Sequence, residues 1–196
     1  KRALAAWYND LPVEKLAYEV VKYQERDGWR NADVLRLSHP KTADEARNAV
    51  YKWIVDGWGV DNEIVERHPH RNIIGAFETA KTANLPTLIK LIQIHNLSRE
   101  MLPTEALTHP EVWEALLEKM PFTAMIRNLG NMSKVGLLKP LSDASKFIVE
   151  RLHDQEAIRK ARIHPVAVLI AMKTYSQGHG VKGKGEWTPV PSVVNA

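Results

Sequence analysis

Apolar residues return every three to four positions along most of this chain. In "LPVEKLAYEVVKY" they fall at Leu11, Ala17, Val20 and Val21, in "EARNAVYKWIV" at Ala46, Val50, Trp53 and Ile54, and in "LPTLIKLIQIH" at Leu88, Leu91 and Ile92. That spacing lines the side chains up on one stripe of an α-helix, which has to be buried against a neighbour. The strict alternation of a half-buried strand is nearly absent. Prolines agree with the periodicity: Pro12, Pro86, Pro110, Pro121 and Pro165 stand where helices begin, because a missing N–H is harmless in a first turn. Thr42 and Glu45 in "TADE" read as a capping box. Gly28, Gly57, Gly130 and Gly178 each follow a helical run and suit the left-handed position after a helix. The pattern predicts about nine to eleven short helices with tight connectors.

Weak self-similarity refines the fold class. "YQERDGW" and "YKWIVDGW" both end in Asp-Gly-Trp, at residues 27–29 and 56–58, and four His-Pro dipeptides precede or open later segments. Loose repetition of this kind fits irregular HEAT-like helical hairpins, in which each pair buries its stripe on the next, better than a simple bundle. The expectation is an all-α domain over residues 1–196, a curved solenoid or part of a ring.

Composition narrows the setting. With 196 residues and 44% apolar content, a true hydrophobic core is affordable and disorder is not expected. Cysteine is absent, which excludes disulfides and thiolate metal sites. No apolar run approaches about 18 residues and the N-terminus lacks a signal-peptide core, so a cytoplasmic protein with no membrane partner is expected. The net charge of +4 is unevenly spread: residues 1–120 carry 16 basic and 18 acidic side chains, whereas residues 121–196 carry 11 and 5. A basic end attracts polyanions, and the balanced remainder argues against a purely electrostatic coat protein.

Motifs of catalysis fail one by one. "GHGVKGKGE" spaces Gly178, Gly183 and Lys184 like a phosphate loop, but Gly185 stands where Ser or Thr must hold magnesium, and a helix precedes it instead of a strand. It reads as a flexible basic loop in which Lys182 and Lys184 give generic phosphate affinity. His68 and His70 in "RHPHR" lack a third ligand at metal spacing. His95 and His153 fall within helical patterns as partly buried residues, and no serine sits in a nucleophile elbow. The tryptophans fit core positions or helix junctions, with Trp187 the one stacking candidate. The expectation is no enzyme, no cofactor and no metal.

One cluster remains, "VVKYQERDGWRNADVLRLSHPKT" at residues 20–42. Lys22, Arg26, Arg30, Arg36 and Lys41 stand there with His39 against three acids. Lys22 and Arg26 are four apart and would share a face of the second helix. Gly28 would end that helix, with Trp29 folded back as its hydrophobic stop. Pro40 biases His39 to an extended backbone, placing its ring ahead of a helix beginning near Thr42, whose free N–H groups suit a phosphate. On physics alone, a phosphate-holding corner and a solvated face with Lys22 and Arg26 pairing Glu19 and Asp27 stand level.

Resemblance adds to this. "AAWYND", the run from Val20 to Lys41, "EVWEALLEKMPFTAMIRNLGNM" and "ARIHPVAVLIAMKTYSQGHGVKGKGEWTP" resemble successive signatures of the TROVE module of the Ro autoantigen family, in order, from residue 1 to about 190. The resemblance implies a ring of HEAT-like hairpins that binds small noncoding Y RNAs on its outer face and single-stranded 3′ ends of misfolded RNA in its hole, in RNA quality control, with an exoribonuclease as a further partner. The family's Y RNA contacts match Lys22, Arg26 and His39, beside Arg30 and Lys41. By analogy with the cavity helices, Arg127 and Lys134 are candidates for the hole. The family also carries further helices before this start and a von Willebrand factor A-like domain after this end, so the chain resembles a portion of a larger protein or a compact relative. The alternative is a helical protein–protein scaffold whose basic face meets an acidic partner.

Overall fold

Helices start where the sequence supplies a cap or a proline. In the computed structural model, which describes residues 1–58, 71–178 and 186–196, α1 (Arg2–Asp10) is followed by α2 (Val13–Lys22) with Pro12 as its N-cap. A two-residue hairpin, β1 (Glu25–Arg26) and β2 (Trp29–Arg30), leads into α3 (Asn31–Ser38) and α4 (Glu45–Asp56). Then come α5 (Arg71–Ala80) and α6 (Leu85–His95), the latter opened by the Asn84 side chain, which accepts the Thr87 N–H. Two 3₁₀ turns, Arg99–Met101 and Thr104–Thr108, precede α7 (Pro110–Lys119) and α8 (Phe122–Lys134). The chain continues through α9 (Asp143–His153), α10 (Gln155–Ala161), α11 (Pro165–Ser176) and α12 (Pro191–Val194). All five prolines open their helices as expected. The all-α class stands, with twelve α-helices among the described residues.

The chain divides into two compact units, Lys1–Pro103 and Thr104–Ala196. In the first, α2 packs on α4 and α5, and α5 on α6. Leu16, Ala17, Val20 and Val21 supply the buried stripe of α2, in a core that also holds Val50, Ile74, Leu88 and Ile92. Each large apolar side chain buried this way contributes roughly 1.5–3 kcal/mol. In the second unit, α8 packs on α7, α10 and α11, around Trp113, Met125, Met132 and Ile148.

Four local expectations give way. Thr42 does not cap α4: the cap is Asp44, whose carboxylate accepts the N–H groups of Ala46 and Arg47, while the Thr42 hydroxyl accepts the Asp44 N–H. Two good capping residues compete there, and the carboxylate wins by serving two donors. Gly28 ends no helix. With Asp27 at φ 53° and Gly28 at φ 80°, the pair forms the two-residue turn of the hairpin, which needs positive φ at both positions. Gly130 lies inside α8, because a Cβ there would stand 2.7–2.9 Å from three ring carbons of Trp187. His39 is left-handed (φ 50°, ψ 51°) and not extended, since it closes α3 through its N–H to the Leu35 carbonyl. Gly57 and Gly178 do take positive φ behind their helices.

Candidate nucleic-acid interface

The first residues of the basic cluster are set by the end of α2. Lys22 closes that helix, half-buried, with its ammonium 5.7 Å from the Tyr18 ring centroid and 5.2 Å from that of Tyr23. Burial works against its charge. Tyr18, Tyr23 and Glu100 outweigh that and hold its pKa above the ordinary lysine value. The cation is therefore fixed in place by aromatic faces, and not by Glu19.

Arg26 departs from expectation more sharply. It lies on β1 beyond the end of α2, so it shares no helical face with Lys22. Its side chain is 77% exposed and its Nε stands 3.9 Å from Asp27. Arg30, opposite Glu25 in the ladder, donates to that carboxylate at 3.4 Å. Exposed pairs of this kind contribute about 0–1 kcal/mol and are readily exchanged for another anion. Trp29 is not a folded-back stop; it is exposed, as are Trp7 and Trp58. A core position thus fails for these three and holds for Trp53 and Trp113, while Trp29 and Trp58 stand at helix junctions, just before α3 and just after α4.

One side chain roots the hairpin. Asn31 Nδ2 donates to the carbonyls of Tyr23 (2.7 Å) and Val20 (3.4 Å), and its Oδ1 accepts the Tyr8 hydroxyl at 2.9 Å. A backbone bond from the Asn31 N–H to Gln24 O completes the base. So the first turn of α3, the end of α2 and α1 meet at one amide.

His39 and Lys41 are exposed beyond α3. Within the Arg-Leu-Ser-His run, Ser38 is structural: its hydroxyl donates to Val34 O at 2.8 Å and is buried. The helix that follows gives no open anion site, because Asp44 already occupies its N-terminal donors with a negative charge. A phosphate held by His39 would have to be met by the ring and Lys41 alone.

Arg47 was invisible as a special residue. It is buried in the first unit, donating to Tyr8 O at 2.6 Å and Leu11 O at 2.9 Å. Its partners lie 36–39 residues away, so no local signal could have found it.

In the second unit, Arg127 and Lys134 are exposed on α8, two turns apart and so on one side of the helix. Arg127 borders a groove of about 410 Å³ with Ile126, Gly130, Asn131, Ile170 and Trp187. Trp187 is held there by its indole N–H to Tyr175 O (3.0 Å) and stacks on the Tyr175 ring at 6.4 Å. His95 is half-buried, which lowers its pKa, and His153 is exposed at the end of α9. Lys182, Lys184, His68 and His70 lie outside the described residues. Among the described residues no helix is long and apolar enough to cross a membrane.

Residues 89–184 match the model of the TROVE domain. The RNA-binding protein RO60 of Deinococcus radiodurans is 42% identical over 199 residues, covering 100% of this chain and 36% of that protein. The RNA-binding protein RO60 of Caenorhabditis elegans is 32% identical over 240 residues, covering 100% of this chain and 37% of that one. The crystal structure of the D. radiodurans RO (RSR) protein superposes with a TM-score of 0.80 at 42% identity, over 99% of this chain and 38% of that chain. The chain therefore spans little more than a third of the length of these relatives.

Proposed function

Because this chain belongs to the Ro family of TROVE-domain proteins, we propose that it binds RNA, with Lys22, Arg26, Arg30, His39 and Lys41 holding a small, structured, Y-type noncoding RNA. The observation that carries this reading is a division of labour among the cations. Arg47 and Arg151 are committed to backbone carbonyls of the fold. Arg26, Arg30, His39 and Lys41 stay exposed, and Lys22 is presented on tyrosine rings. An A-form duplex offers side chains its phosphates and 2′-hydroxyls and not its deep groove, which is what such a set can use.

Arg127 and Lys134, with Asn131 between them on α8, form a second surface suited to single-stranded 3′ ends. The corresponding role is cytoplasmic quality control of noncoding RNA, with an exoribonuclease working on the same ends. The set contains no nucleophile with its base, so the reading is of a binding protein and not an enzyme. A second reading, a scaffold for protein partners, draws on α11, where Val166, Leu169 and Ile170 are more than half exposed.

Gel-shift titration across salt separates the two. Replacing Lys22 and Arg26 by alanine together is expected to weaken a structured RNA and lower the slope of log affinity against log salt by roughly 1.5–2 units. Arg30→Ala costs less than Arg26→Ala, because Arg30 must first leave Glu25. His39→Ser weakens binding with a smaller salt effect. Unchanged affinity and unchanged slope in a folded double variant would reject this corner. Binding of an acidic peptide in preference to RNA would favour the scaffold.

A further inference from the structure

In the second unit, α11 has no polar side over its first two turns. From Pro165 to Met172 every side chain is apolar, and Lys173 is the one charge of the helix. A helix that is apolar all round is ordinarily buried all round. Here only Tyr175 is buried, while Val166, Val168, Leu169, Ile170 and Met172 are 40–59% exposed. Val166, Leu169 and Ile170 recur at helical spacing and form one uncovered stripe. Val168 and Met172 join Leu152, Ile158, Ile163 and Val194 around an apolar groove of about 390 Å³, large enough to take apolar side chains of a docked segment.

Charge at the rim narrows the occupant. Arg159 adjoins Ile158 in the chain, Arg162 adjoins Ile163 and Lys173 adjoins Met172, so a cation stands beside three of the lining residues. All three cations are exposed, and no ion pair engages them among the described residues. The acids nearby are occupied within α10: Glu156 pairs with Lys160 at 2.9 Å, and Asp154 caps the helix by accepting the N–H groups of Glu156 and Ala157. A second copy of this chain fits poorly. Self-pairing of α11 would bring the same cations together, and α1, which exposes Leu4 and Trp7, starts with Lys1 and Arg2; like charges facing each other repel. We propose that the groove bordered by α10 and α11 docks an amphipathic helix of a partner protein, its apolar stripe in the groove and acidic residues flanking that stripe against Arg159, Arg162 and Lys173. α11 spans 12 residues, about 18 Å, so about two to three turns of the partner helix would cover it. The proposal rests on the scaffold reading, to which it gives a seat and a partner chemistry, and is independent of the RNA corner.

The test uses the whole chain and a fluorescein-labelled helical peptide of about 15 residues, with leucines at i, i+3, i+4 and i+7 and glutamates on either side of them, followed by fluorescence anisotropy. The same peptide with lysines for glutamates, and one of the same composition in shuffled order, serve as controls. The glutamate peptide is expected to bind, less tightly as salt rises, and the two controls at least about tenfold more weakly. Ile170→Asp should weaken the glutamate peptide by about tenfold or more; its position is 59% exposed, so the circular dichroism melt should not move. Arg159→Glu with Lys173→Glu should reverse the preference toward the lysine peptide, which loss of folding could not produce. The Lys22 and Arg26 double variant should bind the glutamate peptide as wild type does, which separates this surface from the RNA corner. No binding of the glutamate peptide, equal binding of the glutamate and lysine peptides, or an unreversed preference in the charge-swapped variant would overturn the proposal. Sedimentation showing a dimer that Ile170→Asp dissolves would assign the face to a second copy, and capture by anionic vesicles in place of the peptide would assign it to a lipid surface; either result also overturns it.

Discussion

Replacing Arg47 by methionine should unfold the first unit at a markedly lower temperature, although the change adds apolar volume and removes only one of 27 basic residues. The guanidinium closes the C-terminal end of α1, where carbonyls lack partners within the helix. It donates to Tyr8 O at 2.6 Å and Leu11 O at 2.9 Å. Hydrogen bonds from a charged donor contribute about 1.5–3 kcal/mol each. The Tyr8 carbonyl keeps a second donor, the Tyr51 hydroxyl at 3.1 Å, and Leu11 O is close enough to solvent to recover part of its loss. The lower end, about 3 kcal/mol in total, is therefore the expected cost. For a chain of this length, about 2–4 °C per kcal/mol converts this to a fall in Tm of roughly 6–12 °C, read by circular dichroism at 222 nm. Arg47→Lys keeps the charge but offers one nitrogen where the guanidinium sets two at fixed spacing, one for each carbonyl, so it should fall between. A methionine variant melting within about 2 °C of wild type, or a lysine variant equal to wild type, would refute the assignment of a two-carbonyl clasp.

Two further outcomes follow from the geometry. Burial, with the nearby Tyr51 hydroxyl, pushes the Tyr8 pKa from 10.0 to about 12; the folded state keeps a proton that the unfolded chain releases above pH 10, so stability is complete below pH 10 and is lost between pH 10 and 12. Urea midpoints should fall across that window, and Tyr8→Phe should flatten the fall while lowering stability at neutral pH by about 1 kcal/mol for the bond to Asn31; an unchanged alkaline profile in that variant counts against Tyr8. Gly130→Ala puts a methyl into the Trp187 ring and should cost about 1–3 kcal/mol by overpacking, with loss of near-ultraviolet ellipticity; an unaltered spectrum and Tm would show that the ring is not held there.

What could be read from the chain was what depends on near neighbours. Proline at Pro12, Pro86, Pro110, Pro121 and Pro165 marked helix starts correctly because the restriction acts within one turn. Thr42 and Asp44 both cap well, and only the backbone path, which the sequence does not display, decides for Asp44. Strands of two residues are too short to show alternation, so the sequence offers Asp27-Gly28 as a helix stop and hides the hairpin. Gly130 and Arg47 take their meaning from Trp187, Tyr8 and Leu11, tens of residues away, and no spacing rule reaches that far. Among the candidate RNA contacts, the residue types were legible from resemblance. Their presentation was not: Arg26 on a strand, Lys22 on tyrosine rings and Arg30 tied to Glu25 follow from a turn the periodicity never announced.

The amide of Asn31 holds the base of the hairpin, and its tip holds nothing in return. Folding constrains Asp27 and Gly28, whose positive φ few residues tolerate. It asks almost nothing of positions 26 and 29. Arg26 and Trp29 stand exposed on that turn, so exchanging them is expected to leave α1, α2 and α3 in place. The hairpin is in this sense a replaceable tip on a fixed mount, and an engineer could swap its contents without rebuilding the scaffold.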